Sequence, residues 1–105
     1  MAKNQANAKN QNKSTNQYNS ISELNTKQKS DIAVWLYEFY RDYYVQNHAV
    51  PTESGQHDAI IRKLIQKVKQ SKIWIPDKQI QLYYNSKQSP LLKRLKKEFP
   101  ELAES

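Results

Sequence analysis

Residues Ile32 to Tyr44 read IAVWLYEFYRDYY, and the spacing of that run decides the fold. At about 100° per residue, Ile32, Leu36, Phe39, Tyr40 and Tyr43 fall on one face of a helix. Trp35 lies on one flank of that face, with Tyr37 and Tyr44 on the other. An apolar arc of roughly 200° is wider than a surface helix needs, so at least two other helices should touch it. The pattern predicts a helix from Asn25 or Thr26 to Asn47, either residue serving as N-cap. Glu38, Arg41, Asp42 and Val45 point the other way and form its slightly acidic solvent strip.

Downstream, Pro51 and the only glycine, Gly55, place a loop over His48 to Gly55. A second helix is predicted from His57 to Ser71, with Ile60, Ile61, Leu64, Ile65 and Val68 as its core stripe. Arg62, Gln66, Lys69 and Gln70 face away from that stripe, and Lys63, Lys67 and Lys72 flank it. Lys72 to Pro76, KIWIP, reads as an extended connector without a sheet partner, with Ile73 and Trp74 both in the core. Pro76-Asp77 opens a third helix that turns Ile80, Tyr83 and Tyr84 inward and stops near Asn85. Ser89-Pro90 then reads as N-cap and first residue of a fourth helix, which runs to Phe99 and buries Leu91, Leu92, Leu95 and Phe99. The expected fold is all-α: a compact bundle of about four helices over residues 21–105.

Residues 1–20 hold six Asn, three Gln and three Lys around one aromatic, Tyr18, too little apolar surface to offset the entropy of ordering, so they are expected to be a disordered arm. No apolar signal segment is visible, and the longest apolar run, Ile32 to Tyr37, is six residues, against the roughly twenty a membrane-spanning helix needs. The expectation is a cytoplasmic protein with no membrane contact. Absence of cysteine removes disulfides, thiolate metal sites and a cysteine nucleophile. One glycine rules out a glycine-rich phosphate loop or dinucleotide fingerprint. His48 and His57, near Glu53 and Asp58, have no spacing that fixes a metal or acid–base geometry, so neither an enzyme nor a cofactor is expected.

Charge carries the functional reading. Ala59 to Lys97 holds eleven Lys and Arg against one acid, Asp77, within a chain of net charge +7. Cations that neutralise phosphates release condensed counterions, so such a face binds DNA or RNA with salt-sensitive affinity. The residues expected to contact nucleic acid are Arg62, Lys69 and Lys72, together with Lys93, Arg94, Lys96 and Lys97 of the fourth helix. That helix, braced by the third, would resemble a helix-turn-helix in arrangement. DNA is favoured over RNA, and fourteen Lys to three Arg favours loose phosphate contact over base reading. The alternative is a module of phage or plasmid type, a modulator or immunity factor, that binds an acidic protein partner. Tyr37 and Tyr44, at the edge of the aromatic stripe, are the candidates for a protein interface, including a homodimer.

Leu24 to Thr52 resembles the first helix and following Pro-Thr turn of bacterial winged-helix repressors. The likeness covers fewer than thirty residues. One basic amphipathic helix then stands where that family has a short helix and glycine turn, so no function follows from it. The bias toward Asn, Lys, Gln and Ile suggests an AT-rich bacterium, phage or plasmid.

Overall fold

The computed structural model describes residues 17–103, which form a 3₁₀ turn (Ile21–Glu23), α1 (Thr26–Asn47), α2 (Ser54–Gln70), α3 (Asp77–Glu98) and a single turn, α4 (Pro100–Ala103). No strand occurs among the described residues, and the all-α bundle stands. The partition into helices differs from the one expected.

Helix α1 matches its pattern. Asn25 caps it: its Oδ1 accepts from the Gln28 amide at 2.8 Å while Gln28 Oε1 accepts from the Asn25 amide at 3.0 Å, a reciprocal capping box. His48 ends it in the left-handed region, φ 58°, with its amide donating to the Tyr44 carbonyl at 2.7 Å. Helix α2 starts three residues earlier than expected, so Ser54 and Gly55 belong to its first turn rather than to the loop. Gln56 makes the earlier start possible, because its Oε1 accepts from the amides of Thr52 at 2.8 Å and Glu53 at 3.2 Å, ahead of the first turn. At the other end the Ile73 amide donates to the Val68 carbonyl and the Lys72 amide to the Lys69 carbonyl, at 3.2 and 3.0 Å. This is a Schellman closure with Val68 and Ile73 both buried, and Lys72, φ 65°, occupies the left-handed position that glycine usually fills.

The third and fourth predicted helices are one. Helix α3 continues through Ser89 and Pro90 for 22 residues. A proline inside a helix costs about 3 kcal/mol, and the Ser86 carbonyl loses the amide it would otherwise accept from. The apolar phase explains why the helix survives. Ile80, Tyr84, Leu91 and Leu95 lie within an arc of about 60° at helical spacing and are all buried. Each contributes roughly 1.5–3 kcal/mol of apolar burial that a break at Ser89 would put at risk.

Directions follow from the contacts. Lys69 meets Asp77 and His57 meets Tyr84, so α2 runs antiparallel to α3. The 3₁₀ turn lies against Gln79 to Ser86, whereas Arg41 and Tyr44 reach Glu98 and Glu101, so α1 runs parallel to α3. Ile32, Leu36 and Tyr40 of α1, Ile60, Leu64 and Val68 of α2, and the α3 stripe meet in the centre. Tyr84 is fully buried, and its hydroxyl shares a 2.7 Å hydrogen bond with His57 Nδ1.

Two expectations about the edges change. Trp74 is 42% exposed, not core, because side chains alternate along the extended connector and its neighbours Ile73 and Ile75 take the inward positions. That connector also has a partner: Gln17 forms an isolated parallel bridge with Trp74, and the Tyr18 amide donates to the Trp74 carbonyl at 2.8 Å. Gln17 to Ser20, expected within the disordered arm, therefore join the fold. The expected disorder of residues 1–16 lies outside the described residues.

Candidate nucleic-acid interface

Helix α2 presents the most coherent cationic surface. Its apolar stripe turns inward, which leaves Arg62, Lys63, Gln66, Lys69 and Gln70 exposed on the outer side, with Lys72 following at the Schellman closure. Among the described residues, Arg62, Lys63 and Lys67 make no ion pair, while Lys69 sits 3.4 Å from Asp77. Because α2 lies antiparallel on α1, Lys63 and Lys67 fall beside aromatic side chains. Lys63, Gln66, Lys67 and Gln70 line a shallow cleft with Phe39, and the Lys67 ammonium stands 5.4 Å from the centre of the Trp35 ring. Arg62 borders a second cleft, shared with Asp58, Asp77, Lys78 and Gln81. From Arg62 to Lys69 the helix rises about 10 Å, a strip long enough to meet more than one phosphate of a strand.

The distal half of α3 is equally basic and differently engaged. Arg94 lies over the Tyr37 ring at 3.8 Å, and Arg41, from α1, lies 5.4 Å from the Phe99 ring and binds Glu98 through Nε at 2.7 Å. The Tyr37 hydroxyl donates to the other Glu98 oxygen. Those two donors hold the Glu98 carboxyl below its usual range, while burial, then the bond to Glu98, pushes the Tyr37 phenol up to about 12. Lys93, Lys96 and Lys97 are exposed in the last turns of α3, where cations also offset the negative end of the helix dipole.

These two basic groups do not merge. Arg62 adjoins Lys78 and Gln81, and Lys93 and Lys97 stand 12 and 19 residues further along α3 than Gln81 and Lys78 respectively, about 18 and 28 Å at helical rise. Nor is there a helix-turn-helix arrangement around Ser89, since a single continuous helix has no bracing partner across a turn. Of the two tyrosines expected at an interface, Tyr37 is only 6% exposed and packs inward. Tyr44 is half-buried, its ring against Phe99 and its hydroxyl donating to Glu101 at 3.2 Å. Lys63 and Lys67 were not among the expected contact residues. Their i, i+4 spacing is visible in the sequence, but their neighbour across the cleft is fixed only by the antiparallel docking of α2 on α1.

His48 is exposed at the end of α1 and His57 is committed to Tyr84, so the histidines sit apart in different roles. Among the described residues, no group of three or more His, Cys, Asp or Glu could hold a metal ion, and no helix is long and apolar enough to cross a membrane. Compared with known protein families, curated proteins and solved structures, the chain matches none.

Proposed function

We propose that this protein is a non-catalytic nucleic-acid-binding protein that grips phosphates through the outer face of α2, with DNA as the first substrate to test. The observation that carries the reading is the run of Arg62, Lys63 and Lys67 along the outer side of α2, unpaired among the described residues, with Arg62 and Lys63 exposed and with Lys63 and Lys67 bordered by Phe39 and, at Lys67, Trp35. Lysine-rich contact of this kind favours affinity over sequence discrimination. The aromatic border offers a stacking edge to an unpaired base. Lys93, Lys96 and Lys97 extend the positive field from the far end of the bundle without sharing the same contact.

Fluorescence anisotropy of labelled single- and double-stranded oligonucleotides tests this at about 50 and 200 mM salt, a range over which several phosphate contacts change affinity by orders of magnitude. Micromolar or tighter binding with a steep salt slope is the expected result. Binding too weak to measure at the lower salt overturns the reading and redirects attention to an acidic protein partner.

A further inference from the structure

On a different side of α1, a groove of about 200 Å³ opens between α1 and α3, lined by Ala33, Leu36, Tyr37, Tyr83, Pro90 and Leu91 and flanked by Lys87 and Arg94. Its volume is below the roughly 300 Å³ at which small-molecule pockets begin, so it suits a single apolar side chain better than a metabolite. Pro90 lines it, and its ring has no N–H to leave unsatisfied. The two cations are seven residues apart on α3, two helical turns, or about 10 Å. Each lies on an aromatic ring, Lys87 at 5.6 Å from the Tyr83 centre and Arg94 at 3.8 Å from the Tyr37 centre. Neither makes an ion pair among the described residues; Arg94 acts on the Glu98 carboxylate, itself held by Tyr37 and Arg41, through its field alone. The occupant should present one apolar side chain between two carboxylates spaced by two helical turns.

The chain itself carries that pattern. On the outer strip of α1, Asp31 and Glu38 are also seven residues apart, with Val34 between them. Val34 is 48% exposed and Val45, further along the same strip, 45%. Single exposed valines are ordinary on a surface; what singles out Val34 is its place between two carboxylates whose spacing matches that of the groove's two cations. Residues 1–16 carry three lysines and no acid, the wrong sign for this groove. We infer that the α1–α3 groove receives the Asp31–Val34–Glu38 strip of a second copy of this chain, forming a symmetric dimer. The strip and the groove adjoin each other on α1, so one two-fold axis places each strip in the other copy's groove and closes the assembly. With the two α1 helices antiparallel, Asp31 of the second copy faces Arg94 and Glu38 of the second copy faces Lys87. Asp31 exchanges its exposed pair with Lys27, 2.9 Å away, for a contact flanked by apolar surface. The inference stands apart from the nucleic-acid reading, since it uses none of Arg62, Lys63 or Lys67.

Sedimentation equilibrium of the full chain tests it, up to about 1 mM, where a contact worth only ~4 kcal/mol is already half-populated. The expected result is a rise from the mass of one chain to that of two, weakened by salt. Lys87→Glu with Arg94→Glu should abolish association, as should Asp31→Lys with Glu38→Lys, because each sets like charge against like. Mixing those two double variants restores both contacts at once and should give a heterodimer that neither forms alone. Val34→Glu, on an exposed position, should also give a monomer with unchanged thermal melting. A chain that stays monomeric to the highest concentration overturns the inference, as does a dimer indifferent to these variants. A mixture that fails to associate overturns it too, and so does an oligonucleotide whose affinity collapses on Lys87→Glu with Arg94→Glu, which would make nucleic acid the occupant of the groove. Anisotropy on the α2 variants reports the nucleic-acid reading separately, so either can fail without the other.

Discussion

The outer face of α2 and the distal half of α3 carry similar positive charge, yet the fold engages them differently. On α2, Arg62 and Lys63 stand exposed on the outer side of a regular apolar stripe, Lys67 lies at its edge beside Trp35, and only Lys69 meets a carboxylate. On α3, Arg94 covers a tyrosine ring and Lys87 another, Glu98 is tied down by Tyr37 and Arg41 from α1, and Lys93, Lys96 and Lys97 remain exposed at the far end. Equal charge along the chain is therefore not equal availability: Lys67, Lys87 and Arg94, each laid on an aromatic ring, contribute packing and position, whereas Arg62 and Lys63 on the open face of α2 contribute field.

The contrast can be broken most directly at α2. Reversing Arg62, Lys63 and Lys67 together to Glu should weaken oligonucleotide binding by ~100-fold at low salt and flatten the log–log salt slope by about 3. The same anisotropy titration on Lys93→Glu with Lys97→Glu should shift affinity by less than about tenfold. Equal losses from the two variants would erase the distinction between the regions.

Pro90→Ala addresses the α3 side. If the helix runs through Pro90, alanine restores the bond to the Ser86 carbonyl, and chemical denaturation should show a gain of about 2 kcal/mol after allowing for the looser unfolded chain. Had a new helix begun at Ser89, the same change would remove a favourable first-turn proline and lower stability. Lys72→Gly sharpens the α2 side: relief of the left-handed lysine should add about 1 kcal/mol in thermal melting. Oligonucleotide affinity should fall slightly in the same variant, separating the conformational cost of Lys72 from the use of its charge.

The smallest effect belongs to Glu98→Gln. Because the fold depresses the Glu98 carboxyl, its contribution is complete above the unfolded carboxylate value and disappears as pH falls through the folded one. Wild type should melt above the variant at pH 7, and the two curves should converge below about pH 4.

Helix α1 was readable because everything that defines it is local: Asn25 and Gln28 cap each other, and the stripe beginning at Ile32 is continuous. At Ser89-Pro90 the sequence carries a local helix-start signal that the continuous α3 overrides. The contrary signal was present in the shared phase of Ile80, Tyr84, Leu91 and Leu95, which a break would have had no reason to preserve. The connector was half readable, its extended form visible but its inward side set by Ile73 and Ile75 rather than by the larger Trp74. For the candidate interface, composition located the cations but not their neighbours. Whether Arg62 stands near Lys97 or far from it depends on helix direction, a long-range property that no window of sequence contains.

The two tryptophans give the molecule built-in optical reporters. Trp35 lies half-covered beneath the Lys67 ammonium at the edge of the α2 face, while Trp74 stands in solvent on the connector. A polyanion that draws Lys67 away changes the electrostatics above one indole and leaves the other as it was. Collisional quenching by iodide, which reaches Trp74 more readily, can divide the emission between them. The unlabelled protein can thus report by its own fluorescence which of its surfaces has been occupied.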